Sequence, residues 1–183
     1  MKRPWDGDRY LALIEKVRAA MPDVAIRTTF IVGFPGETEA EFQALLDFTR
    51  AAQLDRVGAF TFSREPGTPS HDMPGQVPTK VKKERYDRLM RVQMGISRAR
   101  NKAWIGRSID VLVDEFKDGF SAGRSFRDAP EIDGWVYIEG ERTPGQIVSA
   151  EITDCGDYDL YATAEKPKRN LQPLRMAAPA APK

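Results

Sequence analysis

The run RTTFIVGFPGET at residues 27–38 constrains the fold most strongly, because it predicts three successive structural elements. A β-branched apolar segment ends at Gly33, a Gly-Phe-Pro-Gly turn follows, and Thr38 opens a helix. Glu41 stands three residues after Thr38, which is the capping-box pattern of a helix N-terminus. Ligands of parallel α/β proteins bind at such turns, at the carboxyl ends of strands. The turn is therefore a candidate ligand site, with a plain tight connection as the alternative interpretation.

The sequence around this run alternates helices and strands, as parallel α/β sheets do. Asp6 or Asp8 is expected to cap a first helix with an apolar stripe on one face. Residues 24–32 form a nearly continuous apolar segment, which predicts a strand covered on both faces. Residues 39–52 and 56–62 are the predicted second helix and second strand.

A proline-rich loop and a long basic helix are predicted next. Prolines and glycines interrupt regular structure in residues 63–78, and residues 79–104 have helical periodicity. Residues 80–106 carry 9 Lys+Arg and 2 Asp+Glu, a net charge of +7. These cations either bind phosphates or form a solvated helix face, and the solvated face is the favoured interpretation. The apolar stripe of this helix is predicted to be Val81, Leu89, Val92, Ile96 and Ala103.

Beyond residue 106 the sequence predicts short β-strands. Residues 109–114, 135–138 and 146–152 are separated by Asp-Gly and Pro-Gly turns, which is typical of a small β-barrel. Barrels of this kind often bind nucleic acid through residues such as Arg124, Arg127, Trp135 and Tyr137. Residues 107–165, however, carry 5 Lys+Arg and 14 Asp+Glu, a net charge of −9. This charge disfavours phosphate binding and favours a basic protein partner, with a solvated acidic surface as the alternative.

The remaining features restrict location and chemistry. Cys155 is the single cysteine, which excludes an internal disulfide and a cysteine-ligated cluster, and suggests a reducing compartment. No apolar run reaches the ~20 residues of a membrane helix, and no signal peptide is visible, so we expect a cytoplasmic location without membrane binding. His71, the only histidine, is interpreted as a loop residue rather than a partner of Ser63 or Ser70.

Several segments together resemble the methylthiotransferase family of radical S-adenosylmethionine enzymes. They are RTTFIVGFPGETEAEFQALLDF, LDRVGAFTFSREPGTP, ERYDRLMRVQ and GISRARNKAWIGRSIDVLVDE. The runs GRSFRDAPEIDGWVYI and YDLYA resemble its RimO-type branch, which methylthiolates an aspartate of a small-subunit ribosomal protein. The resemblance covers about residues 1–165, and IVGFPGET is shared with the tRNA-modifying relatives.

The resemblance implies a division of the chain. Residues 1–78 would be the C-terminal portion of a radical (β/α) barrel, joined by the helix at 79–105 to a TRAM domain at 106–166, an OB-like β-barrel. Residues 167–183 are Pro/Ala-rich and are expected to be disordered. The family holds two 4Fe–4S clusters on cysteines absent from this sequence. Because residues 1–4 resemble an internal stretch of the family, we expect this chain to be a C-terminal part. Because the cluster cysteines are absent, we expect this part to be inactive alone.

The resemblance also implies site residues. In the family, the penultimate barrel strand and its turn line the S-adenosylmethionine pocket, so Arg27, Thr29, Ile31, Gly33 and Phe34 are the expected cofactor-binding residues. A basic ribosomal protein is the expected partner of the acidic barrel. The contacts to this partner are expected from Arg124, Arg127, Asp128, Glu131, Asp133 and Trp135. No catalytic or metal-binding residue is predicted in this chain.

The parent reaction implied by the family cleaves S-adenosylmethionine to a 5′-deoxyadenosyl radical. That radical abstracts hydrogen from the aspartate β-carbon, and a methylthio group is inserted there. Two alternatives remain: a tRNA-adenosine methylthiotransferase relative, which the acidic barrel and the DAPEIDG run disfavour, and a non-catalytic binding module of the TRAM type.

Overall fold

The fold was determined as a computed structural model, which describes residues 6–164. The predicted tail at 167–183 and the stretch at residues 1–4 lie outside these described residues. The elements in chain order are α1 (Gly7–Ala20), β1 (Arg27–Val32), α2 (Glu39–Ala52), β2 (Arg56–Thr61), a 3-10 turn (Pro69–His71), α3 (Thr79–Lys102), β3 (Ser108–Lys117), β4 (Phe120–Arg124), β5 (Val136–Glu139), β6 (Ile147–Cys155) and β7 (Leu160–Ala164).

The first part is a two-stranded parallel sheet with helices packed on it. β1 and β2 pair in register from Arg27 opposite Arg56 to Val32 opposite Thr61. Both predicted helix starts are confirmed. The Asp6 carboxylate accepts the Arg9 N–H at 3.1 Å. The capping box of α2 is complete, because the Thr38 and Glu41 side chains each accept the backbone N–H of the other residue.

The predicted covering of β1 on both faces is wrong. Exposure alternates along the strand, with Thr28, Phe30 and Val32 turned towards the helices. The residues between them are exposed, because the helices of residues 6–164 pack against one face of the sheet. The strand also begins at Arg27 instead of residue 24. One face of the sheet is thus available to a ligand or to further protein.

The buried face of α3 also differs from the predicted apolar stripe. Leu89 and Ile96 are buried as expected, whereas Val81 and Val92 are half-buried and Ala103 is exposed. Polar side chains occupy the rest of the buried face, because they hydrogen-bond the loops and strands beneath the helix. The buried residues of α3 are Lys82, Arg85, Leu89, Gln93, Ile96, Ser97 and Asn101.

The second part is a closed barrel with strand order β3-β4-β5-β7-β6, in which β6 pairs back to β3. All pairs are antiparallel except β5 with β7. Apolar side chains that alternate along the strands fill its interior, together with Trp104 and Cys155. The fold class is therefore confirmed: part of a parallel α/β sheet followed by a small OB-like β-barrel.

Two barrel strands, β4 and β7, were absent from the prediction. β4 contains Ser, Ala and Gly in place of β-branched residues. Gly123 in β4 lies so close to β3 that a Cβ atom would overlap the Leu112 carbonyl oxygen. The close contact between β3 and β4 requires small residues. The sequence of β4 therefore lacks the β-branched and aromatic residues that indicate a strand.

Candidate functional site

The open face of the sheet contains three of the predicted cofactor residues. Arg27, Thr29 and Ile31 alternate along β1 and face away from the helices. Their neighbours in β2 are Arg56, Gly58 and Phe60. Ile31 is 40% exposed and Phe60 is 65% exposed, so this face carries accessible apolar area beside a cationic side chain.

A cleft of about 540 Å³ separates this face and β2 from the barrel. Its barrel side is formed by residues 132–135 and 158–159, and Arg27 and Thr29 line the opposite side. The Arg27 guanidinium lies 3.6 Å from the Asp133 carboxylate across the cleft. The structure thus brings two predicted cofactor residues together with Asp133 and Trp135, which were predicted to bind a partner.

Gly33 and Phe34 lie at the end of β1, in a different environment. The Gly33 N–H donates to Glu37 Oε1 at 3.0 Å, and a Cβ atom at Gly33 would overlap the Lys82 side chain. Gly33 also has a φ of 75°, which favours glycine. The Phe34 ring packs edge-to-face on Phe62 with ring centres 5.2 Å apart. In this structure, the turn glycine allows close packing of α3.

Two buried cations of α3 bind the loops after both strands. Lys82 Nζ donates to the Phe62 carbonyl oxygen at 2.8 Å. Arg85 Nη1 donates to Glu37 Oε1 at 2.6 Å and to the Glu37 carbonyl oxygen at 3.1 Å. These charge-assisted hydrogen bonds hold the carboxyl ends of β1 and β2 next to each other.

Three of the seven other cations of the basic helix are also paired within the chain. Arg88 contacts Glu39 at 2.6 Å, Arg98 contacts Asp157 at 3.3 Å, and Arg100 contacts Asp55 at 3.1 Å. The positive charge of α3 is thus opposed by acidic residues of both parts of the fold. The other four, Lys80, Lys83, Arg91 and Lys102, are exposed and form no ion pair within residues 6–164, so a solvated helix face and phosphate binding both remain open for them.

A buried ionic cluster joins the sheet to the barrel. The Asp55 carboxylate, 2% exposed, accepts hydrogen bonds from the Ile26 N–H at 3.0 Å, from Arg100 at 3.1 Å and from Arg127 at 3.3 Å. Arg56 binds Asp128 at 3.0 Å. Burial lowers the pKa of Arg127, and the adjacent Arg56 lowers it further, while the Asp55 and Asp128 carboxylates oppose this change.

Arg127 and Asp128 therefore bind within the chain, at the junction of its two parts. The Arg127 guanidinium also lies over the Trp104 ring, 4.6 Å from its centre. Their nearly complete burial leaves little of either side chain for an external partner.

The other four predicted partner residues share a small pocket of about 170 Å³ on the barrel. Arg124, Glu131, Asp133 and Trp135 line it together with Asp114. Arg124 Nε contacts the Asp114 carboxylate at 3.1 Å. Glu131 has a φ of 61°, a left-handed conformation that is uncommon for a residue with a side chain. The pocket is next to the cleft, because Asp133 and Trp135 line both.

Two tyrosines on the outside of the barrel lie in an acidic environment. The Tyr137 and Tyr161 rings stack with centres 5.7 Å apart. Burial raises the pKa of Tyr137, and the neighbouring Asp159 carboxylate raises it further. The pKa of Tyr158 is raised by burial and by Asp157. Burial is the larger cause of both pKa shifts, and the neighbouring carboxylates add to it.

The described residues contain no group of three or more side chains suited to a metal ion. Cys155 is buried in the barrel core. His71 contacts Asp72 at 2.7 Å in the exposed loop. Within residues 6–164, no helix is both long and apolar enough to cross a membrane.

Comparison with known proteins gives two findings. Residues 105–164 match the family model of the TRAM domain. A protein named ribosomal protein uS12 methylthiotransferase RimO from Chloroflexus aurantiacus is 54% identical over 169 residues, which are 90% of this chain and 37% of that protein. Proteins of the same name from Bordetella petrii and Salmonella heidelberg are 51% and 49% identical, over 90% and 89% of this chain and 38% and 37% of their own lengths.

The chain thus spans a little over a third of the length of these relatives. The TRAM match covers the β-barrel, and the stretches of similarity extend through the α/β part as well. The chain belongs to the RimO-type branch of the radical S-adenosylmethionine methylthiotransferase family and corresponds to the C-terminal part of its members.

Proposed function

We propose that this chain is the C-terminal part of an enzyme that methylthiolates the β-carbon of an aspartate in ribosomal protein uS12. One observation carries this proposal: about half of the residues, over nearly all of the chain, are identical to those of several proteins of that name. S-adenosylmethionine and two 4Fe–4S clusters would supply the radical chemistry when bound. The clusters would be held elsewhere in the parent protein, since Cys155 is buried in the barrel core. A uS12-modifying enzyme would act in the cytoplasm, where ribosomes are assembled.

The open face of the sheet would form one side of the S-adenosylmethionine pocket. Arg27 carries a guanidinium that is 36% exposed and only loosely paired, at 3.6 Å, with Asp133. It would bind the methionine carboxylate of the cofactor. Ile31 and Phe60 offer apolar area for the adenine. Thr29 lies on the same face, between Arg27 and Ile31. Gly33 and Phe34 would shape the end of the pocket through their packing with α3 and Phe62.

The acidic barrel would bind the substrate protein. Its net charge of −9 attracts basic proteins, and such attraction accelerates the first encounter. Arg124, Glu131, Asp133 and Trp135 would contact this protein at the small pocket beside the cleft. Arg127 and Asp128 would act indirectly by holding the barrel against the sheet.

A chimeric enzyme tests the cofactor role. This chain replaces the matching segment of the Chloroflexus relative, and mass spectrometry of uS12 measures methylthiolation. We expect Arg27→Ala to raise the KM for S-adenosylmethionine by roughly 10-fold or more, because the variant loses a charge-assisted hydrogen bond to the cofactor. Arg50→Ala, which removes another exposed ion-paired arginine, is the control. Equal KM values for the two variants would contradict the assignment of Arg27, and absence of modified uS12 with the unmutated chimera would contradict the proposed function.

A further inference from the structure

One edge of β2 is unpaired within the described residues. β2 pairs with β1 alone, and the N–H groups of Arg56 and Phe62 donate to carbonyl oxygens at either end of β1. Because backbone groups alternate along a strand, the N–H and C=O groups of Val57, Ala59 and Thr61 point to the other edge. No hydrogen bond within residues 6–164 pairs these groups.

This edge faces the cleft. Five consecutive residues of β2, residues 56–60, line the cleft. Because neighbouring residues of a strand point to opposite faces, the cleft must border the edge of the strand and not only one face. The six residues of β2 extend over about 20 Å at ~3.3 Å per residue. Opposite them lie residues 132–135 and 158–159 of the barrel. The cleft therefore offers one strand edge on one side and side chains of the barrel on the other.

We propose that an extended segment of the substrate protein pairs with the outer edge of β2 as an added strand and lies in this cleft. The inference rests on the proposed function and specifies how the substrate is held. Main-chain hydrogen bonds to a strand edge are a recurrent mode of peptide binding, in which alternate side chains give specificity.

The side chains that line the cleft define the chemistry of this segment. Ile132 is 67% exposed and Phe60 is 65% exposed, and Trp135 lines both the cleft and the small pocket, so apolar side chains are accommodated. Arg27 and Arg56 balance Asp133 and Asp159 in the lining, so the cleft itself favours apolar side chains. The barrel around it carries a net charge of −9, so the segment that fits has basic residues next to its apolar stretch.

The position of the edge also suits the reaction. A strand added to β2 continues the sheet, so every second side chain of the segment emerges on the face that carries Arg27 and Thr29. Gly58 leaves room on this face, since a Cβ atom there would come within 3.3 Å of Thr29 Oγ1. An aspartate of the bound segment can therefore reach the proposed cofactor face without passing through the barrel.

Ala59→Pro tests the added strand with purified uS12 as the probe. The Ala59 N–H has no partner within residues 6–164, so proline at this edge position removes a donor that only the segment would use. Gly58 precedes it and has no Cβ to clash with the proline ring. We expect uS12 binding to this chain to weaken by roughly 10-fold. Ala59 is 9% exposed and packs in the apolar core, so Ala59→Gly, which retains the N–H and adds no group to this core, is the control and should bind like the unmutated chain.

Amide hydrogen exchange by NMR distinguishes the outcomes. With uS12 bound, we expect protection of the Val57, Ala59 and Thr61 amides, whereas those of Arg56 and Phe60 already face β1. Binding of uS12 with protection confined to the barrel would overturn this inference but leave the proposed function standing. No binding of uS12 would contradict the proposed substrate itself. Concentration-dependent protection of the edge without uS12 would assign the edge to a second copy of this chain and overturn the inference.

Discussion

Asp55→Asn should destabilise this protein severely, because Asp55 is the acceptor at the junction of the sheet, α3 and the barrel. Its carboxylate receives the Ile26 N–H at 3.0 Å, Arg100 at 3.1 Å and Arg127 at 3.3 Å, and is 2% exposed. An asparagine retains one oxygen for these donors but no charge. The Arg127 guanidinium, 1% exposed, then loses its nearest carboxylate.

The burial of the two partners sets the size of the effect. Removing one partner of a buried ion pair costs about 3–5 kcal/mol. Arg100 is 31% exposed and can be hydrated in the variant, and the Ile26 N–H keeps an acceptor. The loss should therefore lie at the lower end of this energy range. We therefore expect a loss of about 3 kcal/mol in the free energy of unfolding.

Urea denaturation followed by circular dichroism measures this loss. With an m-value of about 2 kcal/mol/M, the midpoint should fall by about 1.5 M. Asp47→Asn is the matched control, because Asp47 pairs with Arg50 at 2.8 Å while both are more than half exposed. Such a surface pair contributes about 0.5 kcal/mol or less. Equal midpoints for the two variants would refute the claim that the buried cluster holds the two parts together.

Two further substitutions test the turn and the helix that follows it. Gly33→Ala should lower the free energy of unfolding by more than the ~1–2 kcal/mol that a left-handed alanine costs, because its Cβ atom would also overlap Lys82. Gly36→Ala is the control: its φ is 83° and no atom lies within 4 Å, so it should lose only the conformational part. Equal shifts in the thermal unfolding temperature would contradict this. The Thr38 backbone N–H and hydroxyl lower the pKa of Glu41 below its usual 4.5, so their stabilising effect is present above that pH and is lost as pH falls through the lower value. Thr38→Ala should move this pKa part of the way back in an NMR titration of the Glu41 carboxyl carbon, and an unchanged titration would contradict the role of the hydroxyl.

The elements that follow from local physical rules were predictable from the sequence. Thr38 and Glu41 define the start of α2 by a pattern of two side chains, and the structure reproduces it. The Asp-Gly and Pro-Gly turns after residue 106 indicated a barrel because each turn type is set by its own residues. The resemblance to the family then indicated that the α/β part and the β-barrel are joined by a long helix.

The junction and the open sheet face depend on contacts that no local pattern contains. Asp55 and Arg127 are 72 residues apart in sequence, and nothing near either residue indicates the other. The pair Asp55-Arg56 before an apolar strand was the available signal, since two adjacent charges there must find partners when buried. In the same way, periodicity placed apolar residues on α3, but Lys82 and Arg85 are buried because of carbonyl and carboxylate groups in distant turns.

Measuring whether this chain binds uS12 or tRNA more tightly tests the central claim most directly, because the result separates the proposed protein-directed role from a tRNA-directed one. Fluorescence anisotropy with labelled uS12 and labelled tRNA, at the same ionic strength, gives both dissociation constants. We predict that uS12 binds more tightly, and that its affinity falls with added salt because the barrel carries a net charge of −9. Tighter binding of tRNA than of uS12 would contradict the account.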